Sequence, residues 1–388
     1  MNDAVIIDVV RTASGKGKPG GALSSVHPVD LLAGVLQALI ERTGLDPALV
    51  DDVIGGCVSQ AGEQAFNITR TALLAAGLPE SVPATTVDRQ CGSSQQAVHF
   101  AAQGVLAGAY DVVIACGVES MSRVPMGYTA QGQDTAGVLL GRRYPEGLIP
   151  QGVSAELIAA RWKLDRQELD TFSARSHQLA AATAAAGGFD REIVAVGDHR
   201  VDETVRPGTT VEGLAALKPA FTGVPAAGRF LEIGWHITPG NSSPFTDGAS
   251  AALIVSAPTA QRLGLRPRAR FHSFAVTGSD PVLMLTGVIP ATQKVLARAG
   301  LSIDDIDAYE VNEAFAPVPL VWQQELAADP DKLNPRGGAI ALGHPLGASG
   351  TRLLTTLVNQ LEATGGRYGL QTMCEGGGMA NATIIERI

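Results

Sequence analysis

Two stretches at opposite ends of the chain repeat one local plan and carry different reactive side chains. The first runs Thr-Val-Asp-Arg-Gln-Cys91-Gly-Ser-Ser-Gln-Gln-Ala, and the second runs Gly-Ala-Ile-Ala-Leu-Gly-His344-Pro-Leu-Gly-Ala-Ser-Gly. Each is a short run containing apolar residues, then a reactive group, then a small-residue turn opening an amphipathic helix, expected over residues 97–106 and 351–361. Cys91 and His344 stand 253 positions apart, and the same offset lays Gly55-Gly-Cys-Val-Ser-Gln60 on Ala308-Tyr-Glu-Val-Asn-Glu313. A further pair, Ile114-Ala-Cys-Gly117 and Thr372-Met-Cys-Glu375, follows at an offset of 258. Correspondence at several places constrains the chain to an internally duplicated fold. Equivalent positions meeting at a pseudo-twofold axis would join a thiol to an imidazole, a nucleophile to its activator.

At 388 residues the chain exceeds one ordinary core, so two or three domain-sized units are expected. The 45 glycines and 5% aromatic content suit a small-residue α/β enzyme with close backbone approaches. A net charge of −9, with no Lys/Arg run, argues against nucleic acid as a partner. Cys57, Cys91, Cys116 and Cys374 are far apart and lack metal-ligand spacing. Neither a zinc site nor a disulfide framework is expected, and free thiols point to a reducing compartment. No apolar run approaches the ~20 residues that span a bilayer, and no basic-then-apolar leader precedes the strand-like residues 4–10. The expectation is a cytoplasmic protein without a membrane partner.

Strand and helix signals alternate through the first half. Strands are expected at residues 4–10, 52–56, 85–87 and 111–116, and helices at 28–42, 67–76 and after Cys91. Such alternation argues for parallel βαβ units. Between about residues 119 and 240 the pattern changes to Gly/Pro/Arg-rich loops flanking an Ala-rich helical stretch at 154–187, which reads as an insertion on the scaffold. A strand at 250–255 precedes a second α/β half, with strands at 269–276, 307–310, 368–373 and 381–385 and a helix at 290–299. The boundaries expected are 1–118 plus 241–265 for the first half, 119–240 for the insertion and 266–388 for the second half.

Cys91 sits where a strand gives way to a helix, and a helix N-terminus favours the thiolate and lowers a thiol pKa. Cys57 and Cys116, inside or at the end of apolar strands, read as structural. His344, in Gly-His-Pro with glycines close behind, is unlike a core histidine satisfied by its neighbours. Cys374 precedes Glu-Gly-Gly-Gly, whose backbone N–H groups can form an oxyanion hole beside a second thiol. Asn312 ends a strand, where its amide can hold a water or a carbonyl oxygen, although Asn there is commonly turn chemistry.

Together, Cys91-Gly-Ser-Ser, Asn312-Glu-Ala-Phe-Ala, Gly343-His344-Pro and Cys374-x-Gly-Gly-Gly resemble the thiolase family. The resemblance extends from Arg11-Thr12 through Gly240-Asn-Ser-Ser-Pro-Phe-Thr-Asp-Gly248 to the end of the chain. It implies an α/β fold of duplicated halves in five layers, αβαβα, with an inserted loop domain. It implies that Cys91 becomes acylated, that His344 activates it, and that Cys374 is the acid/base at the α-carbon of the acetyl-CoA unit. Asn312, through a water, and His344 would then stabilise the enolate oxygen, and the N–H groups of Cys91 and Gly376 a tetrahedral intermediate. Ser243 matches the family's serine beside the pantetheine, and Lys218 stands where relatives often carry an Arg facing the nucleotide. Acyl-CoA and CoA are the implied partners, with CoA as substrate and neither metal nor further cofactor, in a homodimer or homotetramer.

Several departures bear on the substrate. Small-substrate biosynthetic relatives typically carry His-Met before Gly-Thr-Thr-Ala-Glu, where this chain reads Pro150-Gln-Gly-Val-Ser-Ala-Glu156. Glu375 takes the place of a residue that is usually small or apolar, and Ala380 that of a common Gly. The wording resembles actinobacterial degradative thiolases acting on fatty acids or sterol side chains. The alternatives are a biosynthetic acetoacetyl-CoA thiolase, an acyl-carrier-protein condensing enzyme, which would lack the second cysteine, and a non-catalytic acyl-CoA-binding homologue.

Overall fold

The computed structural model describes residues 3–388. The first half contains β1 (Ala4–Thr12), β2 (Gly15–Lys16), α1 (Pro28–Thr43), β3 (Asp52–Gly56), α2 (Ile68–Ala75), β4 (Ala84–Val87), α3 (Ser93–Leu106) and β5 (Val112–Ser120). The inserted region supplies α4 (Gly137–Arg143), α5 (Gln151–Trp162), α6 (Arg166–Ala185), β6 (Ile193–Val194) and α7 (Val211–Ala215). The chain then returns to the first half with β7 (Thr246–Ser256) and α8 (Ala257–Leu263). The second half comprises β8 (Ala269–Gly278), α9 (Val288–Ala299), β9 (Ala308–Val311), α10 (Pro317–Leu326), α11 (Ala339–Leu342), α12 (Ser349–Thr364), β10 (Tyr368–Glu375) and β11 (Met379–Arg387).

The strands run in the order β4-β3-β5-β7-β1-β8-β11-β10-β9, with β2 on β7 and β6 on β1. Each half pairs its βαβ strands in parallel, β3 with β4 and β5, and β9 with β10. The halves join where β1 meets β8 through only two register pairs, Val5 with Arg270 and Ile6 with Ala269. Helices α3 and α12 pack on each other, and a core of Ala97, Val98, Ala101, Leu354, Leu357 and Ile385 seals them between the halves. Outside the first half lie α1 and α2, over a core including Leu31, Leu36, Leu73 and Cys116; outside the second lie α9 and α10, over Val295, Trp322 and Ile384. The result is five layers, helix-sheet-helix-sheet-helix.

The duplication holds, but its register corrects the sequence offset. Asp52 pairs with Val113 in the first half, and Ala308 pairs with Gly369 in the second. Both pairs correspond at 256 positions, as do the starts of α3 and α12, at Ser93 and Ser349. The value of 253 came from matching residue types in a turn and a short apolar run, whereas the hydrogen-bonded ladders fix the register. The two turns are also built differently: the strand β4 leads into Cys91, whereas the short helix α11 leads into His344.

The Ala-rich stretch is two helices. Lys163 takes a left-handed φ of 58° and ends α5, and a capping box between Asp165 and Glu168 starts α6. Buried polar pairs fasten the insertion to the scaffold. Arg11 on β1 donates to both carboxylate oxygens of Asp202, at 2.7 and 3.0 Å, and to Glu192 at 2.9 Å. Glu156 on α5 accepts the N–H groups of His236 and Ile237, each at 2.7 Å. A buried charge set of this kind is stable only when it is well hydrogen-bonded, and each guanidinium nitrogen of Arg11 donates to an oxygen. Among the described residues no helix is long and apolar enough to cross a membrane.

Candidate active site

The turn carrying Cys91 begins at Gln90, whose φ is +50°, and α3 starts two residues beyond the cysteine. The Cys91 sulfur is buried, and the backbone N–H groups of its own residue and of Gly376 lie near enough to favour its charged form. Gly376 belongs to the other half and opens the three-glycine hairpin between β10 and β11. The next two positions hold φ values of 83° and 79°, open to glycine without strain. Cys374 is fully buried at the end of β10, opposite Ala380 of β11. Burial pushes its thiol up, and a charge on Cys91 raises it further.

The expectation that the helix N-terminus would lower the Cys91 pKa is overturned. Burial comes first and, with the nearby Glu375 carboxyl, pushes the thiol up to about 12, although the two N–H donors pull it down. Cys91 therefore rests as a protonated thiol.

His344 is held in one tautomer. Its Nδ1 lies 2.6 Å from Ser349 Oγ, and that hydroxyl donates to Pro345 O at 2.9 Å. With its hydrogen committed to the carbonyl, Ser349 Oγ accepts from the ring, so the proton sits on Nδ1 and Nε2 is the basic atom. Burial, helped by the charge of Arg352, brings the imidazole down to about 3, so it is neutral near pH 7. Asn312 follows β9, and its Nδ2 lies 3.3 Å from His344 Nε2. Its buried Oδ1 has no protein partner, as an amide oxygen that accepts from a bound water would show.

The backbone around His344 is tight rather than flexible. Gly343 holds a φ of 84°, and a Cβ there would lie 2.6 Å from Thr246 Oγ1, which accepts the His344 N–H at 2.9 Å. At Gly347 a Cβ would come within 2.6 Å of Val118 O and 2.7 Å of Gly56 O. The motif glycines therefore let the His344 turn lie against β7, β5 and β3 without side chains between them. Glu119 ends β5 and accepts N–H groups from Val58, Ser59 and Gly347 and the Gln64 amide, all at 2.9 to 3.0 Å, clamping this turn across the halves.

The structure thus brings Cys91, Cys374 and Gly376 together, and separately pairs Asn312 with His344. Leu346 joins the two sets: it packs in one cluster with Cys91, Met121, Leu353 and Met373, and it lines the cavity at His344. That cavity, of about 70 Å³, is also lined by Ser243, Met126, Gln151 and Phe315. Ser243 Oγ donates to Ala314 O at 3.2 Å. Lys218 is exposed and outside this lining. Cys57 and Cys116 are buried in the core of the first half. Sequence reasoning missed Ser349, Thr246 and Glu119. For Ser349 the signal was present, since five residues past a histidine at a helix start is within reach of its ring.

Residues 4–258 match the thiolase N-terminal domain and residues 265–387 the thiolase C-terminal domain. The chain belongs to the thiolase family and is an acyltransferase of the α/β class. It is 50% identical to the steroid 3-ketoacyl-CoA thiolase FadA6 of Mycobacterium tuberculosis, over 100% of this chain and 95% of that protein. It is also 45% identical to the 3-ketoacyl-CoA thiolase of Erwinia tasmaniensis, over the full length of both. Among solved structures, the acetyl-CoA acetyltransferase of Bacillus anthracis matches with a TM-score of 0.89 at 36% identity, over 100% of this chain and 99% of that one.

Proposed function

We propose that the chain is a degradative thiolase that cleaves 3-ketoacyl-CoA with CoA through an acyl group carried on Cys91. The observation that carries this reading is a buried Cys91 sulfur beside two backbone N–H groups that favour its charge, one from each half, with a second buried thiol next to it. In the first half-reaction the Cys91 proton passes to His344 Nε2 as the sulfur adds to C3 of the substrate. The C2–C3 bond breaks, its electron pair passes into the acetyl-CoA enolate, and the Cys374 thiol protonates C2. Acetyl-CoA leaves. In the second, incoming CoA gives its proton to the Cys374 thiolate and attacks the acyl-cysteine, and Cys91 leaves with the proton held by His344. Asn312 and His344 serve the enolate oxygen, and the N–H groups of Cys91 and Gly376 serve the thioester intermediate. Substrate CoA would pass Ser243 into the cavity, with Lys218 toward the nucleotide.

Relatives named for steroid and general 3-ketoacyl-CoA substrates favour a fatty-acid or sterol side-chain substrate over acetoacetyl-CoA synthesis. A cytoplasmic homodimer or homotetramer accompanies the reading, and the half-exposed edge strand β4 leaves a sheet end open to a second copy. Mass spectrometry after mixing with acetyl-CoA tests the mechanism. The expected adduct is one acetyl group at Cys91, retained in Cys374→Ala, which then fails to cleave 3-ketoacyl-CoA. Full thiolysis by Cys374→Ala would refute the role of that residue.

A further inference from the structure

The two halves carry a glutamate at equivalent positions, Glu119 at the end of β5 and Glu375 at the end of β10, 256 residues apart like the strands themselves. Their surroundings differ sharply. Glu119 accepts three backbone N–H groups and one side-chain amide. Glu375 is fully buried, and neither of its carboxylate oxygens has a hydrogen-bond partner.

The reason is local. Glu119 takes the N–H of Gly347, and the equivalent amide in the other half is that of Cys91, which instead turns to its own sulfur. The Glu375 carboxyl lies against Gly92, where a Cβ would collide with Oε1, so it sits beside the nucleophile's turn. The charged and titratable groups facing it are Asp88 and Arg89, from the turn after β4, and the thiols of Cys91 and Cys374. Arg89 forms no ion pair with it, and Asn381 of β11 spends its amide on Gly92 O at 3.1 Å.

A carboxyl buried without donors resists ionisation. Burial, augmented by Asp88 and offset by Arg89, raises Glu375 to about 8, so it is neutral at pH 7 and ionised well above that. Once ionised it stands next to a sulfur that must itself approach the thiolate, and two such charges oppose one another.

We propose that Glu375 is a positioning residue that gates the nucleophile by charge: neutral, it leaves Cys91 free to give up its proton, and ionised, it holds that thiol protonated. The gate closes when Glu375 releases its proton to solvent, and it reopens on reprotonation. No covalent step involves the carboxyl. The inference rests on Cys91 being the acylated residue.

The test compares the intact wild-type enzyme with Glu375→Gln and Glu375→Asp. Peptide-resolved mass spectrometry follows iodoacetamide alkylation at Cys91 from pH 6.5 to 9.5, beside acetylation from acetyl-CoA. Wild type and Glu375→Gln should agree within about twofold at pH 6.5, where the wild-type carboxyl is neutral. At pH 9, Glu375→Gln should alkylate about tenfold faster than wild type, the thiolate gain of one pKa unit. Glu375→Asp should keep the wild-type profile. Should Glu375→Gln fail to fold, Glu375→Met is the second uncharged variant and carries the same expectation. A Gln-to-wild-type ratio that stays constant with pH overturns the proposal, since a purely structural role would scale the rate equally at every pH. Absence of any acetyl adduct on wild-type Cys91 would instead overturn the nucleophile assignment, whatever the ratio.

Discussion

Removing the Ser349 hydroxyl tests the geometry around the base without touching a reacting atom. In Ser349→Ala the Nδ1 proton of His344 loses an acceptor 2.6 Å away, in a site closed to water. At rest the ring is neutral, so this bond is of ordinary strength, about 1 kcal/mol. When His344 takes the Cys91 proton the same bond becomes charge-assisted, about 1.5–3 kcal/mol. The loss in the transition state for acylation therefore exceeds the loss at rest by about 0.5–2 kcal/mol, a fall of roughly 2- to 30-fold in rate. The ring also loses its preference for the Nδ1–H tautomer, which removes Nε2 as the base in part of the population. Rapid-quench mass spectrometry of Cys91 acetylation measures the rate directly, with CoA affinity and melting temperature followed in parallel. A drop of more than twofold and up to about 30-fold, with unchanged CoA affinity, is expected. Acetylation within twofold of wild type, in a variant of normal stability, would refute the assignment of Ser349 as the residue that orients His344.

Gly347→Ala places a methyl group against Val118 O and Gly56 O in the seam between halves, so destabilisation of about 1–3 kcal/mol and a lower urea midpoint are expected. His99 is fully buried, with its Nε2 2.7 Å from Thr383 Oγ1, and burial brings it down to about 3. Because the folded value lies below the unfolded value of ~6.5, the unfolded chain binds the extra proton, and stability falls as pH drops through that window. Wild type should lose about 1.4 kcal/mol more per pH unit below 6.5 than His99→Gln, read from urea unfolding at successive pH values.

Much of the fold was legible because its signals are local. Apolar periodicity marked α1 through Leu31, Leu32, Val35, Leu36 and Leu39, and these form its buried face. The helix α10 escaped notice because Pro317 and Pro319 open it, and proline is tolerated in a first turn but reads as a breaker. The division between α5 and α6 was written in Asp165-x-x-Glu168, a capping signal hidden by the alanines around it. The thiols, imidazole and glycine turns of the site stood out as rare groups in unusual company. Electrostatics did not, because the resting protonation of Cys91 depends on burial by residues distant in sequence. The partners Ser349, Thr246 and Glu119 are ordinary residues in ordinary settings until the turns are folded against one another.

The central claim is that the Cys91 sulfur carries the acyl group within reach of two amides drawn from opposite halves. A crystal structure of the protein trapped with acetyl-CoA measures this directly. It should show an acetyl thioester on Cys91, its carbonyl oxygen about 3 Å from the backbone nitrogens of Cys91 and Gly376, with Cys374 facing the methyl carbon. An acetyl group on Cys374, or an acetyl oxygen directed away from both nitrogens, would contradict the account.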